Sequence, residues 1–178
     1  MALLVLSSAS AYAERNDILV GLGIGLGPSD ADFSSTGADI TVYERPIFMT
    51  SFKLGGMFSP QHALYYQYRL GFFRFDRSDW EDGARGVSSF SGLGYTYFLN
   101  PTVGSPYVEA AMGMSRVALS QEFSEGDAEG FGFLVGAGNE FSENLHMGAV
   151  LDVSDTINRS SREGLLLKTF TFQLEYKF

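Results

Sequence analysis

The final nine residues, Phe170 to Phe178, read FTFQLEYKF, and that alternation limits the fold more than any other feature of the chain. Side chains of a strand alternate between two faces. Phe170, Phe172, Leu174, Tyr176 and Phe178 therefore share one face, and Thr171, Gln173, Glu175 and Lys177 share the other. A helix would mix the two sets. The polar face carries an acid, a base, an amide and a hydroxyl, groups that satisfy one another inside a small closed barrel. The aromatic face needs an apolar surrounding.

The same period of two recurs near Asp17–Gly27, Ile47–Phe58, Ala63–Phe75, Val87–Leu99, Pro106–Ser120, Gly130–Phe141, Leu145–Asp155 and Leu165–Phe178, eight segments in all. Each is long enough to cross a bilayer as a tilted strand, which takes about 9 to 11 residues. The connections differ in character. Ser59–His62, Asn100–Ser105 and Ser142–Asn144 are short and built from Pro, Asn, Gly and Ser, whereas Pro28–Pro46, Asp76–Gly86, Gln121–Glu129 and Thr156–Gly164 are longer and hydrophilic. Short turns at one end and long loops at the other are the pattern of an outer-membrane barrel, and a soluble up-and-down barrel has no reason to keep it. The uncharged stretch Gly86 to Val108 is long enough for a membrane helix, but its serines, glycines and Asn100-Pro101 mark two strands and a turn. The expectation is an all-β, eight-stranded antiparallel up-and-down transmembrane β-barrel.

Parity then sorts the side chains. In the third segment Leu64, Tyr66, Tyr68, Leu70 and Phe72 oppose Tyr65, Gln67, Arg69 and Gly71, and in the fifth Val108, Ala110, Met112 and Met114 oppose Tyr107, Glu109, Ala111 and Ser115. The polar member of each set belongs inside. Applied to every segment, this places Lys53, Arg69, Glu109, Glu140, Asp152, Glu175 and Lys177 in the barrel interior, with Gln67, Gln173 and Tyr65 among them. Buried charges persist only when paired, so a salt-bridged plug is expected. Tyr66, Tyr95, Tyr97, Phe98, Phe141 and Tyr176 lie near strand ends and are expected in interfacial girdles.

Composition closes off several chemistries. The chain has 178 residues, a net charge of -9, no Cys and two His. An acidic chain lacks the basic surface that phosphate neutralisation requires, so no nucleic-acid partner is expected. Cysteine-ligated metal and disulfide scaffolds are excluded, and no cofactor is expected. Gly21-Leu22-Gly23-Ile24-Gly25 precedes no helix pattern and reads as an inward glycine ladder, not a nucleotide loop. His62 falls in a turn and His146 opens the seventh segment on its inner side. Acidic clusters (Asp30, Asp32, Asp39, Glu44; Asp76, Asp79, Glu81, Asp82; Glu122, Glu125, Asp127, Glu129) lack the spacing of an EF-hand and read as solvated loop surface. Residues 1–13 end in Ala11-Tyr12-Ala13 and look like the tail of a truncated signal peptide, leaving 14–178 as the barrel domain. The alternative for that segment is an ordinary apolar strand.

The last strand with its terminal Phe178 resembles the assembly signal of bacterial outer-membrane barrels, carried by Phe170, Phe172, Leu174, Tyr176 and Phe178. With the loop asymmetry, residues 14–178 resemble the small eight-stranded family that includes the transmembrane domains of OmpA, OmpX and opacity-type adhesins. The resemblance implies residence in a Gram-negative outer membrane, a structural or adhesive role without catalysis, and four partners or surroundings: membrane lipid, lipopolysaccharide, the outer-membrane insertion machinery and an extracellular surface ligand. Two alternatives remain open. A looser resemblance links Pro106–Ala110 and Asp152-Val153-Ser154 to lipid A 3-O-deacylases, eight-stranded serine hydrolases with a His two residues before the nucleophilic Ser. Here Asp152 takes that place, and His146 is eight residues from Ser154, roughly 26 Å along a strand. The other alternative is a small-solute pore.

Overall fold

The computed structural model describes residues 18–35, 38–75, 84–120, 128–158 and 164–178. The expected signal segment 1–13 lies outside them, as does most of three of the four long loops. Eight strands follow in chain order: β1 (Ile18–Ser35), β2 (Ala38–Ser59), β3 (His62–Phe75), β4 (Ala84–Phe98), β5 (Pro106–Ser120), β6 (Ala128–Glu140), β7 (Leu145–Asn158) and β8 (Gly164–Lys177). Each pairs antiparallel with its neighbours, and β1 pairs with β8 to close the barrel. Closure matters physically, because a membrane offers no water to an unpaired strand edge. The seam runs through Leu22↔Tyr176, Ile24↔Leu174 and Leu26↔Phe172, and the Phe178 amide donates to the Val20 carbonyl at 2.9 Å. The last strand is therefore tied on both sides, to β1 and to β7.

The short turns are organised by their own polar side chains. Ser105 accepts from the Asn100 amide at 2.8 Å and donates to the Pro106 carbonyl at 2.7 Å, while Gly104 supplies the left-handed backbone (φ 86°) that the bend needs. At the next turn on that rim, Asn144 donates to the Lys177 carbonyl at 2.7 Å.

Among the described side chains parity holds along every strand. Leu22, Ile24, Leu64, Phe72, Leu93, Met112, Met114, Phe131, Phe172 and Leu174 are exposed on the outer wall, a band of apolar side chains suited to lipid. The inner wall holds three buried apolar clusters. Leu19, Ala63, Tyr65, Phe98 and Tyr107 lie toward the short-turn end, Phe90, Ala111, Leu134 and Val150 lie further along, and Ala31, Ile47, Met49, Phe73, Val117, Leu165 and Leu167 fill the long-loop end.

Two expectations are corrected. The described residues of the segment Pro28–Pro46 are strand, not loop: β1 and β2 run on through a register shift between Ser29 and Ala31, pairing Ala31↔Val42, Phe33↔Ile40 and Ser35↔Ala38. Strand pairing there survives the high Asp and Ser content, which suits strands that continue past the bilayer into water. Asp30 and Asp32 accordingly belong to β1, where Lys168 lies 3.2 Å from Asp32, and Glu129 belongs to β6, 3.8 Å from Arg116. Phe98 is the second correction. It is fully buried in the short-turn cluster and not part of an outer girdle, because Tyr95 and Tyr97 already fix the outward parity of β4. The girdle at that rim is instead built around His62, the first residue of β3. Its ring stacks on Phe58 (5.4 Å), lies 5.1 Å from Tyr97, and its Nδ1 hydrogen-bonds Tyr95 Oη.

Candidate functional site: the barrel interior

Seven charged residues were expected inside, and the structure places Lys53, Arg69, Glu109, Glu140, Asp152 and Glu175 at 5% exposure or less, with Lys177 half-buried at the short-turn mouth. They do not form one cluster. Lys53 on β2 is the hub. Its Nζ lies 2.6 Å from Glu109 Oε2 on β5 and 2.7 Å from Glu175 Oε2 on β8, reaching across the lumen to strands that do not neighbour its own. Around it, Tyr65 Oη donates to Glu109 Oε2 (3.1 Å), Gln173 Nε2 donates to Glu109 Oε1 (3.1 Å), and Thr96 Oγ1 donates to Tyr65 Oη (3.2 Å). Lys53 also sits 5.0 Å from the centre of the Tyr65 ring. Two carboxylates and one ammonium thus share a network anchored on five strands, β2, β3, β4, β5 and β8.

Two glycines make room for the carboxylates. A Cβ on Gly21 would come within 3.0 Å of Glu175 Oε1, and one on Gly136 within 3.0 Å of Glu109 Oε1. The inward glycine ladder of β1 therefore has a specific task at Gly21, which its spacing alone did not reveal.

Toward the long-loop end, Arg69 departs from the expectation of universal pairing. It is 1% exposed and donates through Nη2 to Thr171 Oγ1 at 3.1 Å, while its Nε and Nη1 and both amide atoms of Gln67 have no hydrogen-bond partner among the described residues. Asp152 accepts from Ser154 Oγ at 3.3 Å, and Ser154 Oγ lies 2.9 Å from Ser115 Oγ. At the opposite mouth His146 Nε2 stands 3.3 Å from Glu140 Oε1, too poorly aligned for a hydrogen bond, with the Tyr107 ring 5.5 Å and the Phe98 ring 5.9 Å away. Lys177 caps this layer 4.9 Å over Phe98. Ser154 and His146 thus belong to different layers, and the hydroxyl's neighbours are an acid and a second serine. Among the described residues no group of three His, Asp or Glu is placed to hold a metal.

The family model described as "Outer membrane protein beta-barrel domain" matches residues 1–178. The chain belongs to this outer-membrane β-barrel family. No curated protein matches it. Among solved structures, the barrel is similar to Ail, the attachment invasion locus protein of Yersinia pestis, with 14% identity and a TM-score of 0.55 over 89% of this chain and 99% of that one. It is similar to OprG from Pseudomonas aeruginosa (13%, TM-score 0.53, 93% of this chain and 97% of that one) and to the outer membrane enzyme PagL (11%, TM-score 0.51, 87% and 97%). At these identities the likeness is one of fold. The barrel is a multi-strand integral protein of a bacterial outer membrane.

Proposed function

We propose that this barrel is a non-catalytic, non-conducting outer-membrane protein whose interior network holds the wall rigid while its long-loop end meets the cell's surroundings. The observation that carries this reading is the hub of Lys53 between Glu109 and Glu175, braced by Tyr65 and Gln173, together with apolar layers on either side of it. Eight strands enclose an interior that side chains nearly fill, and a cross-lumen ion pair bars what space remains. Phe170, Phe172, Leu174, Tyr176 and Phe178 all lie exposed on the outer wall of the closing strand, the arrangement expected if the insertion machinery reads them as the assembly signal. Outer-membrane lipid covers the apolar band, and lipopolysaccharide surrounds the long-loop rim.

Extracellular contact is the second part of the proposal. Ail has been solved with the heparin analogue sucrose octasulfate. The acidic run Asp76, Asp79, Glu81 and Asp82 between β3 and β4 repels such a polyanion, so the surface ligand proposed here is neutral or cationic. A hydrolase reading draws on the likeness to PagL, yet Asp152 offers Ser154 no imidazole base.

Reconstitution into a planar lipid bilayer tests the central part. Silence at 1 M salt is expected from the wild type. Stable conductance steps that persist or grow when Arg69 and Glu109 are neutralised would establish a pore instead.

A further inference from the structure

Proline has no N–H to give a ladder, so two prolines face each other in an antiparallel pair only at a position where the backbones exchange no hydrogen bonds. Pro28 on β1 and Pro46 on β2 form such a pair. The ladder between those strands is carried past them by Gly27↔Ile47 and Ser29↔Arg45, so each missing donor falls on the outer side of the hairpin, Pro28 toward β8 and Pro46 toward β3. Both seams show the loss. Pairing of β1 with β8 lapses at Gly27 and Pro28 and resumes at Ser29↔Thr169. Pairing of β2 with β3 ends at Ile47↔Phe73: Arg45 and Pro46 on one strand and Arg74 and Phe75 on the other are not joined across the seam. Each strand runs on with its other neighbour, Pro46 opposite Pro28 and Phe75 opposite Ala84, and the wall parts between them near the long-loop rim.

A groove of about 440 Å³ lies at this parting. It takes in Leu26, Phe48, Phe72 and Val87, which are exposed on the outer wall, together with Ile47 and Phe73, which are buried on the inner one. Ile47 and Phe73 belong to the apolar cluster that fills the long-loop end. The groove is thus continuous with the lipid-facing band on one side and with an apolar interior on the other.

We propose that the β2–β3 seam is a lateral port, through which one hydrocarbon chain of an outer-membrane lipid enters the groove from the bilayer and reaches Ile47 and Phe73. This rests on the reading that lipid covers the apolar band. The port joins the bilayer to the long-loop mouth only, and the Lys53 hub still bars the barrel.

The test is tryptophan quenching in the full-length barrel, refolded into phosphatidylcholine vesicles whose acyl chains carry bromine near the headgroup end. The chain's one tryptophan, Trp80, is replaced by Phe. Single reporters then stand at Phe72 on the outer wall, at Phe73 in the port and at Phe90 on the inner wall, where β4 is paired on both sides. Phe73→Trp is expected to lose at least half as much emission as Phe72→Trp, whereas Phe90→Trp keeps nearly all of its own. Adding Pro46→Val, which restores an N–H facing β3, brings Phe73→Trp to the level of Phe90→Trp and leaves Phe72→Trp unchanged. Quenching of Phe73→Trp no greater than that of Phe90→Trp overturns the port, as does quenching that Pro46→Val does not reduce. Quenching by a short bromoalkane dissolved in unbrominated vesicles, without quenching by the brominated chains, overturns the lipid occupant in favour of a free apolar solute. A Phe72→Trp reporter that escapes the brominated chains counts against the lipid-covered band itself. Each variant is run unboiled and boiled on a detergent gel, and Ile47→Trp takes over as reporter if Phe73→Trp lacks the heat-dependent shift.

Discussion

Replacing Lys53 with Met, a side chain of similar length without charge, leaves Glu109 and Glu175 facing each other across the lumen. Each carboxylate is 4% exposed or less. At an effective dielectric of about 20, an ion pair near 2.7 Å carries roughly 6 kcal/mol of attraction, so two such pairs offset the desolvation of three buried charges. Taking out the shared cation strands both acids, and breaking a buried pair costs about 3–5 kcal/mol. The lower figure applies where Tyr65 Oη and Gln173 Nε2 keep their bonds to Glu109. The assay is equilibrium urea unfolding of the refolded barrel in lipid vesicles, followed by gel mobility without boiling. Lys53→Met should lose at least about 3 kcal/mol, and adding Glu109→Gln and Glu175→Gln should recover all but about 1–2 kcal/mol. A loss below about 1 kcal/mol for Lys53→Met alone would refute the reasoning, because it would mean that lumen water already screens these charges.

Three further outcomes follow from the same geometry. Gly136→Val pushes a branched side chain against the Glu109 carboxylate and should destabilise by about 1–3 kcal/mol, read in the same urea titration, whereas Val108→Ala on the exposed outer wall should cost less than about 1 kcal/mol. Phe178→Ser should lower the fraction assembled in the outer membrane of cells while leaving spontaneous folding in detergent nearly unchanged, a split that separates a signal for insertion from a contribution to stability. Ser154→Ala should leave fatty-acid release from lipopolysaccharide at the background level of an empty membrane, measured by mass spectrometry; activity in the wild type that this change abolishes would make the barrel a hydrolase.

The architecture was legible because a barrel wall has two unlike sides, and each strand writes both into its sequence. Leu64 to Phe72 and the last strand show this most clearly, since outward aromatic or aliphatic residues alternate there with Gln67, Arg69, Gln173 and Glu175. What alternation does not encode is how far a strand continues into water. The extension of β1 and β2 was hidden because Asp and Ser satisfy a solvent-facing strand as well as a loop. Nor does it encode partners across the lumen. Lys53 and Glu109 are 56 residues apart, and their meeting depends on the stagger of eight strands around the closed wall. Phe98 was misread by residue type when its parity with Tyr95 and Tyr97 already pointed inward.

The absence of Cys from the chain makes one measurement decisive for the filled interior. Single cysteines at Ala111, Val150 and Leu134, all 4% exposed or less on the inner wall, are challenged with a small water-soluble maleimide in intact outer-membrane vesicles and again after boiling in detergent. The account predicts no labelling in the assembled barrel and full labelling once it is unfolded. Rapid labelling of any of the three in the assembled, heat-shiftable barrel would show a water-filled passage and contradict it.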